Sequence, residues 1–129
     1  MGEEQGVVID NGSGWCKSGL FNDGSPPRAN FPSIIGRPLC EGSTDDQLDE
    51  RYIGQKAYDQ EFQVTVTSPF KNGIIDNFDD MEKMWYDVFF ENLGVEPSES
   101  HVILSEPVLN PNSNRELTAQ VMFESFDVQ

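Results

Sequence analysis

The segment Asp10-Asn11-Gly12-Ser13-Gly14-Trp15-Cys16-Lys17 places a carboxylate, two glycines, a hydroxyl and an ammonium group within one short stretch. β-Branched Val7, Val8 and Ile9 lead into it. Trp15, Cys16, Leu20 and Phe21 follow as a second apolar run, and the pattern predicts two strands joined by a tight turn. Asn11-Gly12 and Gly14 are expected to take positive φ there and to leave backbone N–H groups bare at the tip. Bare amides beside the Ser13 hydroxyl and the Lys17 ammonium make an anion cradle suited to phosphate. Asp10 would repel phosphate directly, so its expected role is to hold a hydrated divalent cation that bridges to the phosphates.

Other phosphate motifs fit less well. A Walker A loop needs glycine directly before its lysine, where Cys16 stands, and the dinucleotide fingerprint fails because Lys17 replaces its third glycine. Asn11-Gly12-Ser13 matches a glycosylation acceptor, but no secretory signal accompanies it.

The elements that must position this turn are legible in outline. Residues 22–27 form a turn by composition, and a strand from Arg28 to Phe31, stopped by Pro32, completes a three-stranded antiparallel meander. Ile34 and Ile35 make a brief strand ended by Pro38. The stretch 39–51 is a polar loop carrying Asp45, Asp46, Asp49 and Glu50, whose like charges favour extension. A short helix is expected over Lys56 to Glu61 and a half-buried strand over Phe62 to Thr67. Asn77 is a good N-cap, followed by Asp79, Asp80 and Glu82 where the helix dipole favours anions. Met81, Met84, Trp85, Val88 and Phe89 give that helix one apolar face, and Gly94 closes it. Val102-Ile103-Leu104 reads as a central strand covered on both faces, with His101 at its start in a structural role. Ser113 to Glu116 reads as a capping box with Ser113 as N-cap. Ala119, Met122, Phe123 and Phe126 form the buried face of the helix behind it, widened by Leu117 and Val121, to about Asp127. Strands with helices between them place the fold in the α/β class.

The chain has 129 residues, 36% of them hydrophobic and 9 of them Phe, enough for one modest core. Its net charge of −15, from 23 acidic against 8 basic residues, disfavours nucleic acid and anionic membrane surfaces and favours basic protein faces. Two cysteines, Cys16 and Cys40, suit a reducing compartment, with Cys16 as a small buried hydrophobe.

Several strings carry a resemblance. Asp10-Asn11-Gly12-Ser13-Gly14-x-Cys16-Lys17-x-Gly19, Pro27-Arg28-Ala29-x-Phe31-Pro32-Ser33-Ile34-Ile35-Gly36-Arg37-Pro38, Asp79-Asp80-Met81-Glu82-Lys83-x-Trp85, Leu109-Asn110-Pro111-x-x-Asn114-Arg115-Glu116 and Met122-Phe123-Glu124 follow one another as in actin. From Val7 to about Phe126 the chain resembles the amino-terminal portion of the actin and actin-related family, as a divergent member. The resemblance implies a partial actin-like, ribonuclease H-like ATPase fold, with residues 1–32 and 69–129 as a core unit and 33–68 as a small insertion. It implies ATP or ADP with Mg2+ or Ca2+ as cofactor, weakly bound or absent in this chain alone, held by Gly12, Ser13, Gly14, Trp15 and Lys17, with Asp10 reaching the metal through water and Glu106 near the cleft. It implies a cytoskeletal filament or assembly subunit of the cytoplasm or nucleus, or else a non-polymerising subunit of a larger complex. Partners would be other actin-family subunits, actin-binding proteins or a partner covering the missing half. Asn72 stands where many actins carry histidine. The second phosphate loop, the group that orients the attacking water and the adenosine pocket should fall beyond Gln129, so this chain alone is expected not to hydrolyse ATP.

Overall fold

Alternation of apolar and polar residues at the amino terminus produces the meander. In the computed structural model, which describes residues 5–21, 27–38, 51–59 and 64–129, it consists of β1 (Gln5–Asn11), β2 (Trp15–Leu20) and β3 (Ala29–Pro32). There follow β4 (Ile35–Pro38), β5 (Tyr52–Ile53), the short helix α1 (Gln55–Tyr58) and β6 (Val64–Thr67). Next come β7 (Phe70–Lys71), β8 (Ile74–Ile75), the helix α2 (Phe78–Tyr86), the strand β9 (Ser100–Leu104) and the helix α3 (Asn112–Gln120). The acidic loop expected at 39–51 lies outside the described residues except for Arg51, as do the turn at 22–26 and residues 60–63 of the expected helix and strand.

The first sheet has the order β3-β2-β1-β9, with β9 parallel to β1 and the other pairs antiparallel. β4, β5 and β6 make a second, antiparallel sheet with β4 in the middle. β7 and β8 form a two-residue hairpin whose tip, Asn72-Gly73, has φ of 54° and 79°. Those paired left-handed residues are what a primed hairpin turn requires.

The core lies between the first sheet and α2. Asn77 caps α2 as expected, its side chain accepting from the Asp80 N–H, and Met81, Met84, Trp85, Val88 and Phe89 are fully buried. Each such side chain contributes about 2 kcal/mol by leaving water. The helix continues through wide π-helical turns, Asp87–Leu93, where Asn92 Nδ2 donates to the Asp87 carbonyl and carboxylate at 3.1 Å each. Gly94, at φ 63°, ends it.

Three expectations need correction. β9 is an edge strand among the described residues, and Ile103 is 58% exposed; its alternate neighbours Val102 and Leu104 face the core, so only one side of the strand is covered. Ser113 is not an N-cap: α3 begins two residues earlier than that cap implies, at Asn112 after Pro111, whose fixed φ of −59° suits a helix start and which has no side-chain acceptor to offer. Of the face assigned to α3, Met122 and Phe126 are buried and Val121 half-buried. Leu117, Ala119 and Phe123 are exposed; from Val121 to Ser125 the helix widens into π-helical turns, so the 3.6-residue spacing that placed Phe123 on the buried face no longer holds. Asp127, at φ 57°, then turns the chain back, so that Val128 enters the core and the Gln129 N–H donates to the Ser100 carbonyl at 3.0 Å.

The second sheet is tied to α2 by charge. Arg37 of β4 pairs with Asp80, which is almost wholly buried, and Arg51 reaches Asp80 at 3.7 Å and Asp79 at 2.8 Å. Asn77 Nδ2 adds a bond to the same Asp80 carboxylate at 3.0 Å. Removing Asp80 would take from Arg37 its carboxylate partner while Arg51 keeps Asp79; because Arg37 is 36% exposed, the expected loss is only part of the roughly 3 kcal/mol of a fully buried pair.

Two side chains on the core face of β2 give measurable consequences. Ser18 lies opposite Ile9 and Ala29, 2% exposed, and its hydroxyl finds no partner among the described residues. Ser18→Ala is therefore expected to raise stability by about 1 kcal/mol, read from urea midpoints. Burial first, and the Asp10 charge second, push the Cys16 thiol from an ordinary 9.0 up to about 12. The folded chain thus holds this proton where the unfolded chain releases it, and stability falls as pH rises from 9 toward 12. Melting temperatures between pH 8 and 10.5 should decline more steeply for the parent chain than for Cys16→Ala.

Candidate functional site

The turn between β1 and β2 folds back as the sequence implies, with Asn11 opposite Cys16 and Asp10 opposite Lys17. Its backbone angles differ from expectation. Neither Asn11, Gly12 nor Gly14 takes positive φ. Asn11 instead remains in the strand, and Gly12 is required for space: a Cβ there would lie 2.5 Å from the Trp15 carbonyl oxygen, to which the Gly12 N–H donates at 3.0 Å.

Ser33, 0% exposed, holds the turn from the β3–β4 junction. Its hydroxyl donates to the Gly12 carbonyl at 2.6 Å, and the Gly14 carbonyl accepts from its backbone N–H at 3.0 Å. Both carbonyls therefore face Ser33. A trans peptide carries its N–H opposite its carbonyl, so the Ser13 N–H is turned away from Ser33. Among the described residues nothing bonds the N–H of Ser13 or Gly14, and both residues are exposed. A Cβ at Gly14 would meet nothing within 4 Å, which leaves that backbone open to a ligand.

Two more distant groups fix the strand end before the turn. The buried Trp85 of α2 donates from Nε1 to Asn11 Oδ1 at 3.2 Å. Ser105, just past β9, accepts the Asn11 N–H at 2.8 Å and donates its hydroxyl to Asp10 Oδ1 at 2.9 Å. Neither Ser33, Trp85 nor Ser105 was singled out for the site from sequence. Trp85 read as core, and no local pattern marks a serine that acts across 21 or 95 positions.

Asp10 and Lys17 share the face of the first sheet that points away from α2. They form no ion pair, and Lys17 has no partner among the described residues. Both line an open depression of about 210 Å³ together with Val8, Gly19 and Pro27. Ser13, Gly14 and Trp15 sit at the turn tip beyond its rim, and the Trp15 side chain is 54% exposed on the same face. The residues picked from sequence thus fall in two adjoining groups: an ammonium and a carboxylate on the strands, and free amides with a hydroxyl at the tip. That donor set suits a polyphosphate in its chemistry, and the Asp10 carboxylate is of the type that could accept from the waters of a hard cation. Among the described residues no cluster of three or more His, Cys, Asp or Glu forms a metal site on its own.

Glu106 is exposed and engaged by Arg115, at 2.8 Å from Nη2 and 3.0 Å from Nε, and by Asn110 Nδ2 at 3.3 Å. The Arg115 bonds, then that of Asn110, hold its carboxyl below the usual range. It anchors the loop after β9 to α3. A cavity of about 60 Å³ opens between Asn11, Ser105 and Asn114, and the buried Asn110 Oδ1 on its wall has no partner among the described residues. His101 is exposed in β9 opposite Gly6.

Among the described residues no helix is long and apolar enough to cross a membrane. Set beside known families, the whole chain, residues 1–129, matches the model described as Actin. With that match over its full length and an antiparallel meander joined to helices in a mixed α/β fold, the chain belongs to the actin family.

Proposed function

We propose that this chain forms the phosphate- and metal-gripping half of a nucleotide cleft. It takes the terminal phosphates of ATP or ADP on Gly12, Ser13, Gly14, Trp15 and Lys17, with Mg2+ or Ca2+ held through water by Asp10. The observation that carries this reading is the turn at Gly12–Gly14, whose carbonyls are drawn to Ser33, while among the described residues nothing bonds the Ser13 and Gly14 amides or pairs with Lys17 beside them. In this reading residues 1–32 and 69–129 make the core unit and 33–68 the insertion; the separate three-stranded sheet built within 35–67 supports that division. The complete form acts as a cytoskeletal filament or assembly subunit in the cytoplasm, meeting other actin-family subunits or actin-binding proteins, with basic faces favoured by the net charge of −15.

A second reading, a non-polymerising subunit of a larger complex, is favoured by Asp45, Asp46, Asp49 and Glu50, four like charges set close together in the insertion. Sedimentation with magnesium, ATP and salt separates the two: pelleting filaments support the first, a persistent monomer or hetero-complex the second.

The cleft reading is tested by titrating the chain with magnesium ATP while following backbone amide resonances. Shifts should concentrate at Ser13 and Gly14. Lys17→Ala should weaken the interaction by about 1.5–3 kcal/mol, the worth of a hydrogen bond to a charged group. Shifts scattered over the surface, or an unaltered affinity in Lys17→Ala, would remove the assignment.

A further inference from the structure

We propose that Ser105 is a positioning residue that aims the Asp10 carboxylate at a hydrated divalent cation; the proposal rests on the cleft reading above. A serine hydroxyl carries one proton and accepts on its lone pairs. The Asn11 N–H occupies one of those lone pairs at 2.8 Å, and the proton goes to Asp10 Oδ1 at 2.9 Å. That commits one carboxylate oxygen. The other makes no bond to any described residue, and it sits on the open sheet face beside Lys17.

Ser105 is itself held on both sides. Its backbone N–H donates to the Ile9 carbonyl at 3.1 Å, extending the β1–β9 ladder by one step. The next residue, Glu106, is fastened to α3 by both of its bonds to Arg115. The carboxylate direction is therefore set by a hydroxyl that reaches it from 95 positions away and has little freedom of its own. A hard cation bound through water depends on such aim, because its waters need acceptors at fixed directions. Partners that orient a metal-linked group commonly change affinity tenfold or more when removed.

The experiment compares binding of ATP with and without magnesium, by amide resonances of Ser13 and Gly14, in the parent chain, Ser105→Ala, Ser105→Thr, Asp10→Asn and the double variant Asp10→Asn/Ser105→Ala. Ser105→Ala should weaken magnesium ATP about tenfold and metal-free ATP by much less. Ser105→Thr, which keeps the hydroxyl, should restore binding. In the Asp10→Asn background the Ser105 change should have no further effect. An equal loss with and without magnesium, a loss that persists in Asp10→Asn, or no loss in Ser105→Ala would overturn the proposal while leaving the cleft reading standing. A parent chain that binds no ATP under either condition would end both. If circular dichroism shows Ser105→Ala unfolded, Ser105→Cys, of similar size but a weak donor, takes its place with the same expected loss of metal dependence.

Discussion

The turn at Gly12–Gly14 holds its shape through bonds made by its carbonyls. A short glycine-containing bend has many conformations, and fixing each residue costs about 1–2 kcal/mol of entropy. Ser33 removes that freedom by taking the Gly12 and Gly14 carbonyls, from a position where it is itself fully buried. Once those carbonyls are tied down, the outward direction of the Ser13 amide follows from peptide geometry alone.

Everything else in the fold can be ranked by how it supports that arrangement. The meander brings Lys17 opposite Asp10 and Asn30, and β9 inserts beside β1 to deliver Ser105 to the same strand end. α2 and the π-helical turns that continue it cover the other side of the sheet with five fully buried apolar side chains, and Trp85 both fills that core and donates to Asn11. Packing and site geometry meet in this one indole. The ionic contacts of Asp79 and Asp80 with Arg37 and Arg51 join the second sheet to the start of the same helix, so both sheets are referred to one element.

The two faces of the first sheet have opposite characters. One is closed by α2 and, among the residues whose burial is described, apolar apart from Asn11, Ser18 and Ser100. The other is open, mixing the Asp10 and Lys17 charges with exposed Val8, Trp15 and Ile103. The misreading of β9 arises here. A continuous apolar run looks the same in sequence whether its second face is covered or bare, and Val8 and Ile103, register partners across β1 and β9, are bare among the described residues.

The sequence by itself determined the strands of the meander, the apolar face and N-cap of α2, and the clustering of Asp10, Ser13, Gly14 and Lys17 at one bend. These features rest on short-range periodicity and local capping chemistry, which act between near neighbours. It misplaced positive φ at Asn11-Gly12 and overlooked it at Asn72-Gly73, because an Asn-Gly pair permits left-handed backbone without requiring it, and the pairing of the flanking strands decides. Only the tertiary structure decided that Ser33 and Ser105 hold the bend and that β9 lies beside β1. Each of these depends on contacts between residues far apart along the chain, where the spacing of residue types carries no signal and only packing sets which groups meet.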